Sequence, residues 1–248
     1  MLVSVSIVCA NGQTFEVASV KVNLSGARAV SIGSPSPGTF RAENVWLRFL
    51  IQNAWNVKDF QVSGGPGWAN SDRFDIGAKA SSPVRFEQMR PMLQALLEDR
   101  FRLMVHTESK DMPVYALTVA KGGIRLKASR EAGNTESGGL TSSPRSLKGT
   151  GVSMAQLAAA LSNIMQRPVV DQTGLPGIFD IRMEWTADQS TPGFWAPGLG
   201  PGPGGEPQDA GGASIFTVIQ EQLGLKLEST HGPVMILVVD YAERPSAN

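Results

Sequence analysis

The spacing of hydrophobic and polar positions along the chain predicts a mixture of helices and strands. Apolar residues three and four positions apart predict amphipathic helices over 45–56, 86–99 and 154–165. Asn44 and Ser153 precede the first and third of these helices, and both residue types serve as N-caps. Alternation of apolar and polar residues predicts strands over 14–22, 60–62, 74–76, 100–108, 114–119, 178–185 and 233–239. These elements together predict the α+β class.

The elements follow the same order twice, which indicates an internal duplication. A helix followed by a Phe-Asp-Ile strand occurs within 43–76 and again within 151–185, and a Pro-Val strand comes later in each copy. We therefore predict two homologous βαβ/αββ halves, with mixed sheets covered by helices on one face. Since alternate strand residues would face the helices, Phe74 and Phe179 are expected to be buried.

Shifts in composition divide the chain into segments. Residues 1–13 resemble the tail of a signal peptide, because a short apolar run precedes small residues; the alternative is an edge strand with alternating valines. The first half is predicted over 14–127, a Ser- and Gly-rich linker over 128–148, and the second half over 149–248. An insertion dominated by Gly and Pro interrupts the second half at 186–213.

Charge and cysteine content disfavour several classes of function. Acidic and basic side chains number 22 each, so no overall field attracts nucleic acid, and no nucleic-acid partner is predicted. The single cysteine excludes an internal disulfide, and with only two distant histidines it also excludes the usual structural zinc sites. We predict no metal and no cofactor. No apolar run in the sequence is long enough to be a transmembrane segment.

One histidine is the candidate for catalysis. His106 lies on the polar face of its predicted strand, close in sequence to Glu108 and Asp111. A histidine with a carboxylate within reach can act as a general acid or base, and the carboxylate two residues away is the expected partner. A solvated histidine on a sheet face is the simpler interpretation of the same pattern.

Aromatic residues in two loops are candidates for contact with a ligand. Trp68 ends a Gly- and Pro-rich turn, and Phe194 and Trp195 lie within the insertion. The turn before Trp68 lacks the Lys-Ser/Thr pair and the following helix of a phosphate-binding loop. A G-x-S-x-G motif is also absent from the sequence, which disfavours an ordinary α/β-hydrolase.

Several blocks of sequence resemble one bacterial family. They are VKDFQVSGGPGW at 57–68, LLEDRFRLMVH at 96–106, PVYALTVAKGG at 113–123, RPVVDQTGLPGIFD at 167–180 and VVDYAERPSAN at 238–248. In this order they resemble an uncharacterised, duplicated family of soil bacteria, expanded in acidobacteria and carried as a domain of unknown function. The resemblance implies export, because members usually begin with a signal peptide, and it implies no particular catalytic residue.

A second and weaker resemblance involves the helix at 154–165, the Thr-Gly-Leu at 173–175 and the strand after it. This pattern is similar to the short N-terminal domain of secretins and TonB-dependent receptors. That resemblance implies a periplasmic interaction module.

These observations predict an extracytoplasmic, non-catalytic binding or assembly module whose ligand is a protein, peptidoglycan or an oligosaccharide. The duplication favours this function, as does the lack of a nucleophile elbow, a metal cluster or a phosphate loop in the sequence. The alternative is a hydrolase with a non-standard acid-base site built on His106, Glu108 and Asp111.

Overall fold

The computed structural model describes residues 14–129, 139–143, 145–186 and 213–245. Sequence-based expectations for 1–13, and for most of the linker and the insertion, lie outside the described residues. The helices are α1 (Leu47–Trp55), α2 (Arg90–Phe101), α3 (Met154–Met165) and α4 (Ile215–Val218), which continues as a π-helix over Ile219–Leu223. The strands are β1 (Val17–Val22), β2 (Ser31–Gly33), β3 (Thr39–Val45), β4 (Val62–Gly64), β5 (Phe74–Lys79), β6 (Met104–Val119), β7 (Lys127–Ala128), β8 (Thr141–Ser143), β9 (Ser146–Ser153), β10 (Val169–Asp171), β11 (Ile178–Glu184) and β12 (Leu225–Tyr241). Helices together with several sheets confirm the α+β class. The sheets β1-β5-β3-β2 and β7-β11-β9-β8 are antiparallel instead of mixed, and parallel pairs occur between β10 and β6 and between β12 and β4.

The described residues form two compact units that are not consecutive along the chain. Unit 1 consists of residues 14–109 and 235–245, and unit 2 consists of the described residues from Lys110 to Val234. The sequence placed the division within 128–148 instead. The difference arises because β6 and β12 are single strands of 16 and 17 residues, each of which begins in one unit and ends in the other.

An antiparallel sheet in the order β1-β5-β3-β2, here called the main sheet, is the framework of unit 1. Its strands alternate between a buried and an exposed face, as a half-covered sheet requires. The buried face consists of Val20, Phe40, Ala42, Phe74, Ile76 and Ala78. Phe74 is 1% exposed, which confirms the burial expected from the sequence.

Helices α1 and α2 complete the core of unit 1. In α1 the buried residues Leu47, Leu50, Ile51 and Ala54 follow the spacing of an amphipathic helix. Residues of α2 are buried in the same core, together with Leu237 and Val239 of β12. Burying each large aliphatic side chain contributes roughly 1.5–3 kcal/mol, so this shared core holds the sheet and both helices together.

Unit 2 has a core of its own. Its antiparallel sheet has the order β7-β11-β9-β8, and α3 packs into the same core with residues such as Leu157 and Leu161. Strand β10 pairs in parallel with β6 at Tyr115–Leu117. Phe179 is 6% exposed, so the burial expected for this second phenylalanine is also confirmed.

The two predicted N-caps have different outcomes. Ser153 caps α3 as predicted. Its hydroxyl accepts a hydrogen bond from the backbone N–H of Gln156, and the side-chain oxygen of Gln156 accepts one from the backbone N–H of Ser153. Asn44 is not the cap of α1, which begins at Leu47 after Trp46 with no side-chain cap. Instead Asn44 adopts φ 55° and its buried amide donates to the carbonyls of Ala27 and Ala29, at 2.6 and 2.8 Å.

Part of the predicted linker is strand. The described residues of 128–148 include β8 and the beginning of β9. Leu147 is fully buried between a half-buried Ser146 and an exposed Lys148, so this part of the segment alternates like the strands around it. The Ser, Thr and Gly content concealed this alternation in the sequence.

Candidate functional site

An open groove of about 540 Å³ lies over the exposed face of the main sheet in unit 1. We call it the sheet groove, and it is lined mainly by alternate residues of three neighbouring strands: Val17, Ser19 and Lys21 of β1, Asp75, Gly77 and Lys79 of β5, and Thr39, Arg41 and Glu43 of β3. The strand register places Ser19, Gly77 and Arg41 side by side across its middle. A surface with this concave form can receive an extended ligand.

The groove owes its depth to Gly77. This glycine lies in the middle of β5, where a side chain would otherwise rise from the sheet. A Cβ atom added at Gly77 would meet no heavy atom within 4 Å, and its φ lies outside the left-handed region. Neither backbone conformation nor packing therefore requires glycine here, and its effect is to leave the centre of the sheet face open.

The acidic side chains of the groove are bonded to neighbours within unit 1. Asp75 accepts hydrogen bonds of 2.8 Å from the side chain of Asn23 and from the backbone N–H of Asn44. Glu43 forms an ion pair with Arg41 at 2.6 Å and accepts from Ser31. These bonds fix both carboxylates against the sheet.

Two lysines of the groove, unlike its carboxylates, are not bonded to a side chain of opposite charge or to a hydrogen-bond partner among the described residues. Within the described ranges, no acidic group forms an ion pair or a hydrogen bond with Lys21 or Lys79. Both side chains rise from the exposed face, one on each side of Gly77 along the strands. Neither lysine therefore has a bonded partner of opposite charge among the described residues, although Lys21 lies opposite Asp75 in the strand register.

A family model described as a protein of unknown function (DUF3738) matches residues 48–242. The chain belongs to this family. The match includes Gly77 and Lys79 of the groove, whereas β1 and β3 precede it. The description of the family assigns no ligand and no reaction. No curated protein and no solved structure matches the chain significantly.

His106, also within the range matched by the DUF3738 family, pairs with a carboxylate from β12. Its Nδ1 lies 2.9 and 2.8 Å from the two carboxylate oxygens of Asp240, which can only accept, so Nδ1–H is the donor. Neutral His106 then has a free lone pair on Nε2, the arrangement of a general base. Both side chains are 43% exposed, so water has access to the pair.

The expected partner of His106, Glu108, does not fill this role, for a geometric reason. Residues i and i+2 of a strand are roughly 6.5–7 Å apart, whereas opposite residues on neighbouring strands are about 4.5–5.5 Å apart. Asp240 has the closer position. Glu108 is exposed on β6 in unit 1, and Asp111 is exposed on the part of β6 in unit 2.

Two smaller cavities in unit 1 share Arg102 and Glu243 in their linings. One, of about 380 Å³, is also lined by Glu98, Leu103, Met104 and Tyr241; the other, of about 300 Å³, by Val20, Asp99, Arg100, Arg244 and Pro245. The hydroxyl of Tyr241 donates a hydrogen bond to Glu243. This bond is the main cause that raises the pKa of Tyr241, and burial is a smaller cause. Partial burial raises the pKa of Glu98.

The reactive side chains around these cavities are mainly carboxylates. Among the described residues that line them, Tyr241 carries the only hydroxyl, and none is Ser, Thr, Cys or Lys. The described part of the chain also contains no group of three or more His, Cys, Asp or Glu side chains that could hold a metal ion. The charged side chains of the linings, three carboxylates and three arginines, can form ion pairs and hydrogen bonds.

Trp68 has structural contacts on both sides. Its ring stacks on Phe101 with centroids 6.5 Å apart, and the guanidinium of Arg244 lies 5.3 Å from its ring centroid. Arg244 is held there by an ion pair with Asp72 at 2.7 Å. The other two aromatic candidates, Phe194 and Trp195, lie outside the described residues.

The sequence analysis missed Asp240, Lys21, Lys79 and Gly77. A signal for Gly77 existed, because a lone glycine within an alternating strand often marks a place where another backbone or a ligand comes close. Asp240 also had a weak signal as the first charged residue after the apolar run 234–239. The two lysines become distinctive only when the strand register is known.

Proposed function

We propose that the protein is an extracytoplasmic, non-catalytic module that binds or assembles with its ligand through the sheet groove. The ligand class comprises a protein, peptidoglycan or an oligosaccharide. The observation that carries this proposal is the open groove over Gly77, because neither packing nor backbone conformation accounts for the empty centre of the sheet face. The signal-peptide-like character of 1–13 supports export, and the secretin-like pattern around Thr173 supports an interaction role.

The chemistry of the rest of unit 1 agrees with a non-catalytic role. His106 and Asp240 are open to water, whereas catalytic pairs usually act in sites that exclude it. In the described residues, no helix is long and apolar enough to cross a membrane.

Filling the groove tests the proposal for any ligand. Gly77→Val adds a side chain to the groove floor, and the fold should tolerate it because the added Cβ meets no atom and valine favours strands. Purified peptidoglycan, an oligosaccharide array and candidate envelope proteins are tested for direct binding to the full chain. We expect the ligand identified in this way to bind at least tenfold more weakly to Gly77→Val.

Gly33→Val is the matched control, since Gly33 lies on β2 of the same sheet, has the same free space and does not line the groove. It should bind normally. If both variants bind like the unmodified protein, the ligand site is elsewhere and the sheet groove is not the functional surface.

The second candidate function, a hydrolase, is favoured by one observation: Asp240 holds His106 with Nε2 available as a base. If the pair is catalytic, His106→Ala should lower turnover of a hydrolysed ester, amide or glycoside by roughly 10²–10⁴. Asp240→Asn should lower it as well, while Gly77→Val should leave it unchanged. Turnover that survives His106→Ala would remove this pair from the reaction.

A further inference from the structure

The lysines of the sheet groove point to the chemistry of its occupant. Lys79 of β5 lies opposite Val17, and Lys21 lies four residues further along β1. At about 3.3 Å per residue, the two positions are separated by roughly 13 Å along the strands. The residues between them on the exposed face, Ser19 and Gly77, are small and leave space for a chain to lie over the sheet.

The distance between the two lysine positions matches a spacing of side chains in an extended peptide. Side chains at positions i and i+4 of an extended chain point to the same side and are also roughly 13 Å apart. Two carboxylates at this spacing match the two lysines, because Asp75 and Glu43 are already bonded elsewhere. Opposite charges on adjacent extended chains attract each other.

A sugar polymer fits the groove less well. Phe40 is the one aromatic residue in its lining, and it is 1% exposed, so no exposed ring is available for a sugar to stack on. The lining instead offers lysines, a serine and a threonine, whose polar groups suit a peptide with acidic side chains.

We propose that the sheet groove binds an extended, acidic peptide segment of a partner protein, with carboxylates four residues apart paired to Lys21 and Lys79. This inference rests on the proposed function and narrows its ligand to a protein. Because both lysines lie at the surface, binding should weaken as salt rises, since charges are screened over about 10 Å at 0.1 M ionic strength.

The test titrates the full chain with a capped probe peptide, Ser-Glu-Thr-Gly-Thr-Glu-Ser, at low salt. Binding is measured by NMR. We expect shifts in the resonances of β1 and β5, and at least tenfold weaker binding to the double variant Lys21→Glu/Lys79→Glu. The same double variant should gain affinity for Ser-Lys-Thr-Gly-Thr-Lys-Ser, which restores opposite charges. Lys110→Glu/Lys121→Glu is the matched control, because it changes the net charge equally at exposed lysines outside the groove.

Three outcomes would overturn the inference. The first is equal binding of a peptide with its two glutamates adjacent, which would exclude the spacing. The second is a groove that binds a uronic-acid oligosaccharide but not the peptide. The third is lack of peptide binding to the unmodified protein.

Gly77→Val separates this inference from the proposed function. If a ligand binds and Gly77→Val abolishes its binding while the lysine reversals do not, the groove is the site and its acidic occupant is refuted. If the lysine reversals abolish peptide binding but Gly77→Val does not, the lysines bind the peptide without using the open space over Gly77, and the proposed function of that space is refuted.

Discussion

Asn44 illustrates how a single side chain can hold an irregular backbone in place. It is 5% exposed, adopts φ 55° and connects β3 to the loop before β2 through its amide. Its backbone N–H donates to Asp75, which also helps to fix that carboxylate beside the groove. Asparagine suits the position because it tolerates the left-handed conformation and carries two N–H donors.

We expect Asn44→Ala to lower the free energy of unfolding by about 1–3 kcal/mol, because both side-chain hydrogen bonds are lost and alanine is strained at this φ. Asn44→Gly should recover about 1 kcal/mol of this loss, since glycine accepts the backbone conformation but cannot form the bonds. Urea denaturation of the three proteins measures both values. Equal stability of the alanine and glycine variants would show that strain is negligible at this position.

Glu98 should make stability depend on pH. Burial raises its pKa above the usual value of 4.5, so the folded protein holds the proton more tightly than the unfolded chain. Stability from this group is therefore greatest at pH below 4.5 and falls as pH rises through the raised pKa. Glu98→Gln should increase Tm at pH 7, and the increase should disappear near pH 3.

Glu87→Gln provides the control for Glu98→Gln, because it removes the same charge from another surface position, at the start of the same helical segment. Its Tm should differ little from that of the unmodified protein, both at pH 3 and at pH 7. A Glu98→Gln variant that behaves in the same way would show that burial of Glu98 has no energetic effect.

At the scale of elements, local patterns predicted the helices well but not the pairing of the strands. The predicted helix over 154–165 coincides with α3, because its apolar spacing and its Ser153 cap lie within a few residues of each other. The pairing of His106 with Asp240 joins residues 134 positions apart, and no local pattern encodes it. Likewise the sequence predicted β6 as two short strands and only the second part of β12, over 233–239, because the polar middles of both strands resemble turns.

Ser153→Ala should lower the free energy of unfolding by about 1 kcal/mol, because it removes the N-cap of α3 and half of its capping box. Ser153→Thr keeps an oxygen at the cap and should lose only a few tenths of that value. Thermal unfolding of both variants measures the difference. Similar destabilisation by the two substitutions would indicate a packing effect instead of a lost cap.

At the scale of the whole molecule, unit 2 is an insertion within unit 1. The chain leaves unit 1 after Ser109 and re-enters it at Met235. Both units lie largely within the matched range 48–242, so the family model covers unit 2 and most of unit 1. The structural equivalence of the two predicted halves stays a prediction. The bounds of these halves, 14–127 and 149–248, differ from those of the compact units.

The position of unit 2 between the two chain segments of unit 1 predicts which fragments fold. Residues 110–234 are continuous and contain the core of unit 2, so this fragment should give a dispersed NMR spectrum and a cooperative melt. Residues 1–127 lack Leu237 and Val239, which belong to the core of unit 1. Losing these contacts removes roughly 3–6 kcal/mol of burial energy, a large part of a typical stability of 5–15 kcal/mol. A folded 1–127 fragment would contradict the division into units.

This arrangement also determines the order in which the protein can fold as it is made. A ribosome that adds about 5–20 residues per second releases 14–109 on the order of ten seconds before the residues that complete unit 1. During this interval β4 lacks the segment of β12 with which it pairs, and by the end of the interval all residues of unit 2 have been made. A chain that ends at residue 234 should therefore be cleaved by protease within 14–109 and protected within 110–234, and a chaperone that binds this protein should bind the N-terminal segment.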